Sequence, residues 1–145
     1  MKEVIIVTGG FDPLHSGHIA YFHAARELDS SLSLVVGVNS DAWLTRKKGK
    51  PFMPIEERVT ILKELKSVDV VIEFNDKDDS ACDAIRMALE IYDRVIFANG
   101  GDRHNENTLE YITFKDDERV IFKWGVGGTN KLNSSSWILD GYYAS

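Results

Sequence analysis

The fold of this chain is decided by residues 4–28, which read VIIVTGGFDPLHSGHIAYFHAAREL. Residues 4–7 are β-branched and apolar on both faces, as expected of a strand that is buried between two layers of helices. After Gly9 and Gly10 the chain enters a polar loop, and from residue 17 onwards the apolar residues recur at helical spacing. The stretch therefore predicts a strand, a loop and a helix in immediate succession.

The rest of the chain repeats this alternation of strand and helix. Further strands are predicted at residues 32–38, 68–74, 94–98 and 120–124. Helices are predicted at residues 55–65, 81–92 and 109–114, with a last one opening at Trp137, and residues 45–54 are predicted to form a surface loop. We expect an α/β fold: one Rossmann-like, doubly wound domain over residues 1–145, with a five-stranded parallel sheet and helices on both faces. Ligands of such sheets bind at the carboxyl ends of the strands.

Composition limits the partners of the chain. The 145 residues carry a formal net charge of −6, from 17 basic and 23 acidic side chains. A broad basic face is needed for nonspecific binding of nucleic acid or of a membrane surface, and we expect neither partner. The apolar stretches are far shorter than the roughly 18 residues of a membrane span, and the first residues lack the layout of a signal peptide, so a cytoplasmic protein is expected. The single cysteine, Cys82, cannot form an internal disulfide.

The first loop places two histidines, His15 and His18, where a buried strand turns into a helix. Neither the phosphate-loop motif nor the dinucleotide glycine fingerprint is present. Two imidazoles three residues apart at a helix N-terminus can point at one anion, and Gly17 between them allows a ligand to approach the backbone. This pattern indicates a phosphate site. The alternative is that the histidines are ordinary polar loop residues and that Asp12 is a helix cap.

Residues 10–18, GFDPLHSGH, resemble the HxGH signature of the cytidylyltransferase-like nucleotidyltransferases. This superfamily includes glycerol-3-phosphate cytidylyltransferase and heptose-1-phosphate adenylyltransferase. The resemblance continues, in order and spacing, through the segments 39–41 (NSD), 46–49 (RKKG), 54–58 (PIEER), 68–71 (VDVV), 100–102 (GGD) and 134–136 (SSS). It therefore covers nearly the whole chain. The serines depart from the threonines followed by lysine that are usual in the family, and Lys131 is the candidate to supply that charge.

The resemblance implies that a nucleoside monophosphate is transferred from a nucleoside triphosphate to a small phosphorylated acceptor, with release of pyrophosphate. It implies Mg²⁺ carried by the triphosphate, with no metal ligands from the protein, and a homodimer. The catalytic residues carried over are His15, His18 and Lys48, with Arg46 as a helper of Lys48. The residues expected to bind the nucleotide are Gly9, Gly10, Phe11, Asp12, Gly17, Arg46, Arg58, Gly101, Asp102, Ser134, Ser135 and Ser136.

The base and the competing functions stay open at this stage. The segments 39–41 and 100–102 favour an adenylyltransferase, whereas the length and single-domain layout favour a cytidylyltransferase, and CTP is placed slightly ahead of ATP. One alternative is a metal-dependent phosphohydrolase with Asp12, His15 and His18 as ligands, although this motif holds few carboxylates for two metals. Another is a nucleotide-binding module without catalysis, which would not need donors for a transition state.

Overall fold

A computed structural model describes residues 2–100, 107–128 and 138–141 of the chain. In chain order its elements are β1 (Glu3–Gly9), α1 (Ser16–Glu27), β2 (Ser33–Val38), α2 (Asp41–Lys48), α3 (Ile55–Lys63), β3 (Val70–Glu73), α4 (Cys82–Leu89), β4 (Arg94–Gly100), α5 (Leu109–Phe114) and β5 (Val120–Val126). Residues 138–141 are also helical.

The five strands form one sheet in the order β3-β2-β1-β4-β5, and every neighbouring pair is parallel. The predicted fold class is confirmed. The strand order reverses at β1, because the chain proceeds from β1 to β2 and β3 and later returns to place β4 on the other side of β1. In open sheets of this kind the crevice at the point of reversal is the usual binding place.

Two apolar layers cover the sheet, one on each face. Ile5 of β1 packs in the layer that contains Phe22 of α1 and Leu62 of α3, and all three are fully buried. Ile6, the next residue, packs in the opposite layer with Ile85 of α4. Full burial of each such side chain contributes about 1.5–3 kcal/mol. Because β1 is covered on both faces, its carboxyl end is a rigid base for the loop that follows.

The prediction of a surface loop over residues 45–54 was wrong in its first part, because helix α2 continues to Lys48. The helix begins at Ser40, whose side chain accepts a hydrogen bond from the N–H of Trp43, and it ends at Gly49, which has a φ of +95°. Such a φ favours glycine at the end of a helix. Helix α2 is polar, and Leu44 is its one buried residue. Its sequence therefore has no apolar stripe that would predict a helix.

The bounds of the other elements agree with the prediction in one case and differ by a few residues in others. The helix predicted at residues 109–114 is α5 with the same bounds. The strands β4 and β5 each run two residues beyond their predicted ends, because their pairing continues as far as Gly100 and Val126. Strand β3 is shorter than predicted, and α4 ends three residues before the predicted helix does. The predicted start of the last helix at Trp137 lies outside the described residues.

Candidate active site

The loop between β1 and α1 holds the two histidines in one arrangement of backbone and side chain. His15 is the N-cap of α1, and its Nδ1 accepts a hydrogen bond of 3.0 Å from the N–H of Gly17. The N–H of His15 donates to Nδ1 of His18 at 3.2 Å. The two rings are stacked with their centroids 3.8 Å apart. The sequence His-Ser-Gly-His thus forms a reciprocal capping box in which both imidazoles lie over the N-terminus of the helix.

These hydrogen bonds determine which ring nitrogen carries the proton. In both histidines Nδ1 is an acceptor, so in the neutral ring the proton is on Nε2. Burial lowers the pKa of His18 to about 3, with a further contribution from His15, and burial also lowers the pKa of His15. Both rings are therefore neutral at pH 7. Each presents one Nε2–H donor, next to the positive end of the dipole of α1.

Phe11 supports His18 from the side of the core. Its backbone has a φ of +53°, and its ring meets the ring of His18 edge-on at 5.0 Å and the ring of Phe22 at 5.4 Å. A Cβ on Gly9 would lie 3.0 Å from the tip of the Phe11 ring. Glycine at position 9 therefore leaves the space in which the Phe11 ring lies, and Phe11, which is 4% exposed, contacts the ring of His18 from the core.

Asp12 connects the histidine loop to the segment between α2 and α3. Its carboxylate accepts hydrogen bonds of 2.6 Å from the N–H groups of both Phe52 and Met53. The ammonium of Lys48 lies 2.8 Å from the same carboxylate and 2.7 Å from the carbonyl oxygen of Asp12. The structure thus places Lys48 against the loop that carries the histidines. Lys48 retains 29% of its side-chain exposure, whereas the Asp12 side chain is buried.

Arg58 is fully buried and joins three loops. Its guanidinium donates to the carbonyl oxygens of Gly10 at 2.9 Å, Asn39 at 2.7 Å and Met53 at 3.0 Å, and to the carboxylate of Asp41 at 2.7 Å. The side chain has no exposed surface. Each of its three nitrogens already donates to the protein, so the direct contact with nucleotide phosphates that the sequence predicts would have to replace one of these bonds. We interpret it as a positioning residue for the histidine loop.

Arg46 is not brought to Lys48. The two residues are separated by two positions in α2, which places them about 200° apart around the helix axis. Arg46 donates to the carboxylate of Asp79 at 2.9 Å and to the carbonyl oxygen of Asp76 at 2.8 Å. The sequence analysis predicted a loop for this segment, and in a loop the side chains of Arg46 and Lys48 could lie together. The helix separates them.

The sequence reasoning missed Asp76, which is 3% exposed. Its carboxylate accepts from the side-chain amide of Asn39 at 3.0 Å and from both the N–H and the hydroxyl of Ser40. Burial alone would raise the pKa of Asp76, but these hydrogen bonds and the charge of Arg46 outweigh it and lower the pKa. Asp76 thus holds the start of α2. Its position among several other loop aspartates gave no signal in the sequence.

The remaining predicted residues are placed as follows. A Cβ on Gly10 would lie 3.0 Å from Leu44, so glycine here lets α2 pack closely on the loop. The predicted nucleotide contacts Gly101, Asp102, Ser134, Ser135 and Ser136 lie outside the described residues.

A cavity of about 290 Å³ is lined by Lys48, Lys50, Pro51, Phe52 and Leu139. In the part of the chain that the structure describes, no helix could span a membrane.

The geometry can be compared with known proteins. The sequence model of the family described as Cytidylyltransferase-like matches residues 6–111. The chain belongs to the cytidylyltransferase-like family. The matched region contains the histidine loop, Lys48 and Arg58, and it ends before the three serines.

Curated relatives of this cytidylyltransferase-like chain include bifunctional HldE proteins. It is 42% identical over 139 residues to the HldE of Photorhabdus laumondii subsp. laumondii and 34% identical over 139 residues to that of Proteus mirabilis. Each match covers 92% of this chain and 28% of the relative, so the chain spans a little over a quarter of those proteins. Among solved structures, it resembles the lipopolysaccharide core biosynthesis protein from Thermoplasma volcanium GSS1, with a TM-score of 0.66, 29% identity, and coverage of 92% of this chain and 99% of that one.

Proposed function

We propose that this domain is an adenylyltransferase, which transfers AMP from ATP to a small sugar phosphate and releases pyrophosphate. The observation that carries the proposal is the pair of neutral imidazoles at the N-terminus of α1, each with its Nδ1 held by the backbone. Two Nε2–H donors in a fixed orientation suit the oxygens of a nucleotide phosphate. They require no movement at the moment of reaction.

The reaction is an in-line displacement. A phosphate oxygen of the acceptor attacks the α-phosphorus, a new P–O bond forms, and the bond from the α-phosphorus to the oxygen bridging it to the β-phosphorus breaks. The electron pair leaves with pyrophosphate. In this proposal His15 and His18 donate to the oxygens of the α- and β-phosphates, where negative charge increases. Positioning and charge stabilisation are sufficient for such a transfer, and no covalent nucleophile is needed.

Lys48 supplies the positive charge in this proposal. In the described structure its ammonium is paired with the buried carboxylate of Asp12 and keeps part of its surface. It can therefore approach a bound phosphate without leaving Asp12, which orients it. The carboxylate of Asp12 already receives three donors, so it is poorly suited to bind a metal ion. In this proposal Mg²⁺ belongs to the substrate and is bound to the triphosphate.

The choice of ATP rests on the relatives. The sequence alone placed CTP slightly ahead because of the length and layout of the chain. The 42% identity to bifunctional HldE proteins favours the heptose-1-phosphate adenylyltransferase branch, to which segments 39–41 and 100–102 also point. We therefore propose ATP as the nucleotide and a sugar phosphate, such as a heptose 1-phosphate, as the acceptor.

The test is the release of pyrophosphate from ATP or CTP, in the presence of magnesium, with and without heptose 1-phosphate. We expect release with ATP that depends on the acceptor. His18→Ala should lower kcat by at least about 100-fold, as does loss of a preorganised donor. His23→Ala is the matched control, because His23 is exposed on the same helix, and it should leave the rate unchanged. A His18→Ala variant with a near-normal rate would contradict the assignment.

The two alternative functions are separated by also measuring phosphate release and ATP binding under the same conditions. Phosphate released from ATP or from a sugar phosphate without transfer would indicate a phosphohydrolase, but its proposed ligand Asp12 is already bound by Lys48 and two backbone N–H groups. Binding of ATP with no pyrophosphate under any condition would indicate a binding module.

A further inference from the structure

Asn99, near the carboxyl end of β4, is a buried residue whose side-chain amide nitrogen has no hydrogen-bond partner. Its residue exposure is 6%. Across residues 2–100, 107–128 and 138–141, its Nδ2 is the one fully buried side-chain nitrogen or oxygen atom that has no hydrogen-bond partner. Leaving such a donor unpaired is destabilising, so a buried orphan of this kind calls for an explanation.

The alternation along β4 shows which face of the sheet Asn99 is on. Ile96 and Ala98 belong to the apolar layer of α1 and α3, and a Cβ on Gly100 would lie 2.9 Å from the ring of Tyr21 in α1. Phe97 belongs to the opposite layer, with α4 and α5. Since neighbouring residues of a strand point to opposite faces, Asn99 lies on the face of α4 and α5.

This position is at the binding edge of the sheet but on the other side from α1. Strand β4 pairs with β1, the strand that leads into the histidine loop, so the two carboxyl ends are adjacent. The histidines lie at the N-terminus of α1 on the first face. With the phosphates proposed to be held at α1, the end of β4 is the adjacent strand end that is left for the body of the acceptor.

The chemistry at this end of the face is uncharged or negative. An amide N–H is a neutral donor, and Lys123 of β5, which pairs with Ala98, lies on the other face of the sheet because residues paired across strands share a face. Glu110, in the first turn of α5, is 3% exposed, and its carboxylate accepts from the N–H of Ala81 at the start of α4. A hydroxyl or carbonyl oxygen can accept a hydrogen bond from this amide.

We infer that Asn99 is a specificity-determining residue, whose Nδ2 donates to an uncharged hydroxyl or carbonyl oxygen in the body of the phosphorylated acceptor. The inference rests on the proposed function for the identity of the second substrate. It assigns the recognition of the acceptor's body to the end of β4, separate from the recognition of its phosphate by Lys48.

The test exploits opposite effects on stability and on binding. Asn99→Leu keeps a side chain branched at Cγ and removes the donor, and Asn99→Ala removes the donor without risk of overpacking. The control is Asn75→Leu, since Asn75 is exposed and follows β3, at the far edge of the sheet. The measurements are the Tm without ligand, the Tm shifts caused by magnesium ATP and by heptose 1-phosphate separately, and the KM for each substrate.

We expect Asn99→Leu to raise the Tm by about 2–4 °C, because an unpaired buried donor is removed. We expect Asn99→Ala to keep the Tm within about 2 °C, since the same gain offsets the lost packing. In both variants the Tm shift caused by heptose 1-phosphate should disappear and its KM should rise about 10-fold or more. The shift caused by ATP and the KM for ATP should stay within about two-fold, and Asn75→Leu should change neither KM.

Three results would overturn the inference. The first is a Tm lowered by more than about 4 °C in both variants with the KM for heptose 1-phosphate unchanged, which would make Asn99 an internal structural residue. The second is a rise in the KM for ATP instead. The third is a wild-type protein whose Tm responds to ATP but not to heptose 1-phosphate. Failure of the proposed function is seen separately, as wild-type protein that binds both ligands and releases no pyrophosphate.

Discussion

Replacing Arg58 by methionine keeps a long side chain in α3 and removes every donor of the guanidinium. Four acceptors then lose their partner: the carbonyl oxygens of Gly10, Asn39 and Met53 and the carboxylate of Asp41. Because the Arg58 side chain has no exposed surface, water cannot reach the three carbonyl oxygens without a local rearrangement, whereas the Asp41 side chain is 40% exposed and can bind water. Leaving three carbonyl acceptors without partners costs about 3–5 kcal/mol in total. For a domain of this size that corresponds to a Tm lower by about 6–20 °C.

The assay is urea unfolding followed by circular dichroism, with the free energy of unfolding obtained by linear extrapolation. Lys63→Met is the matched control, because Lys63 is exposed in the same helix, and we expect a change within about 0.5 kcal/mol. If Arg58 instead reached a nucleotide phosphate from the surface, the opposite result would appear. Arg58→Met would then unfold at the same urea concentration as the wild type and would raise the KM for ATP.

Three further predictions follow from the site and its supports. The pKa of His18 is lowered in the folded protein, so the unfolded chain binds more protons below about pH 6.5. The free energy of unfolding should therefore fall as the pH decreases from 7 to 5, by at most about 1.4 kcal/mol per pH unit for this group. In urea titrations at several pH values, His18→Asn should make this dependence weaker. Asp12→Asn should lower the free energy of unfolding by about 2–4 kcal/mol and should also lower kcat, because it weakens the ion pair with Lys48 and the hydrogen bond from Phe52. An unchanged kcat would refute the role of Asp12 in orienting Lys48. Gly49→Ala should cost about 1 kcal/mol through its φ of +95° alone, because no atom lies within 4 Å of the added Cβ, and a neutral change would show that the backbone can relax there.

The architecture could be predicted from the sequence because its signals are local and repeated. The apolar run at residues 4–7 and the periodicity of α1 are properties of neighbouring residues, and they specify a strand and a helix without reference to the rest of the chain. Helix α2 could not be predicted in this way. It buries Leu44 alone, and its start depends on Ser40, which is itself held by Asp76 from a distant loop.

In the candidate site, too, the local features could be predicted from the sequence and the features that depend on distant residues could not. The meeting of His15 and His18 follows from their spacing at a helix N-terminus, which the sequence displays. The burial of Arg58 does not, because an arginine near a helix start is usually exposed, and the four acceptors that compensate its charge come from residues 5–48 positions away. The orphaned amide of Asn99 is invisible for a similar reason, since a missing partner can be recognised only when all neighbours are known.

The neutrality of the two imidazoles has a consequence for the ions that surround the protein. A site built on positive charge attracts every small anion, and its affinity falls as salt is added. Here the overall charge of −6 repels anions at long range, and burial lowers the pKa of His18 to about 3, so this ring carries no charge of its own at pH 7. In the proposed function, chloride and inorganic phosphate would gain little from the histidine pair, whereas a chain of phosphates that matches both donors would gain two directed hydrogen bonds. The histidine pair would then select its ligand by the direction of its donors rather than by the amount of charge.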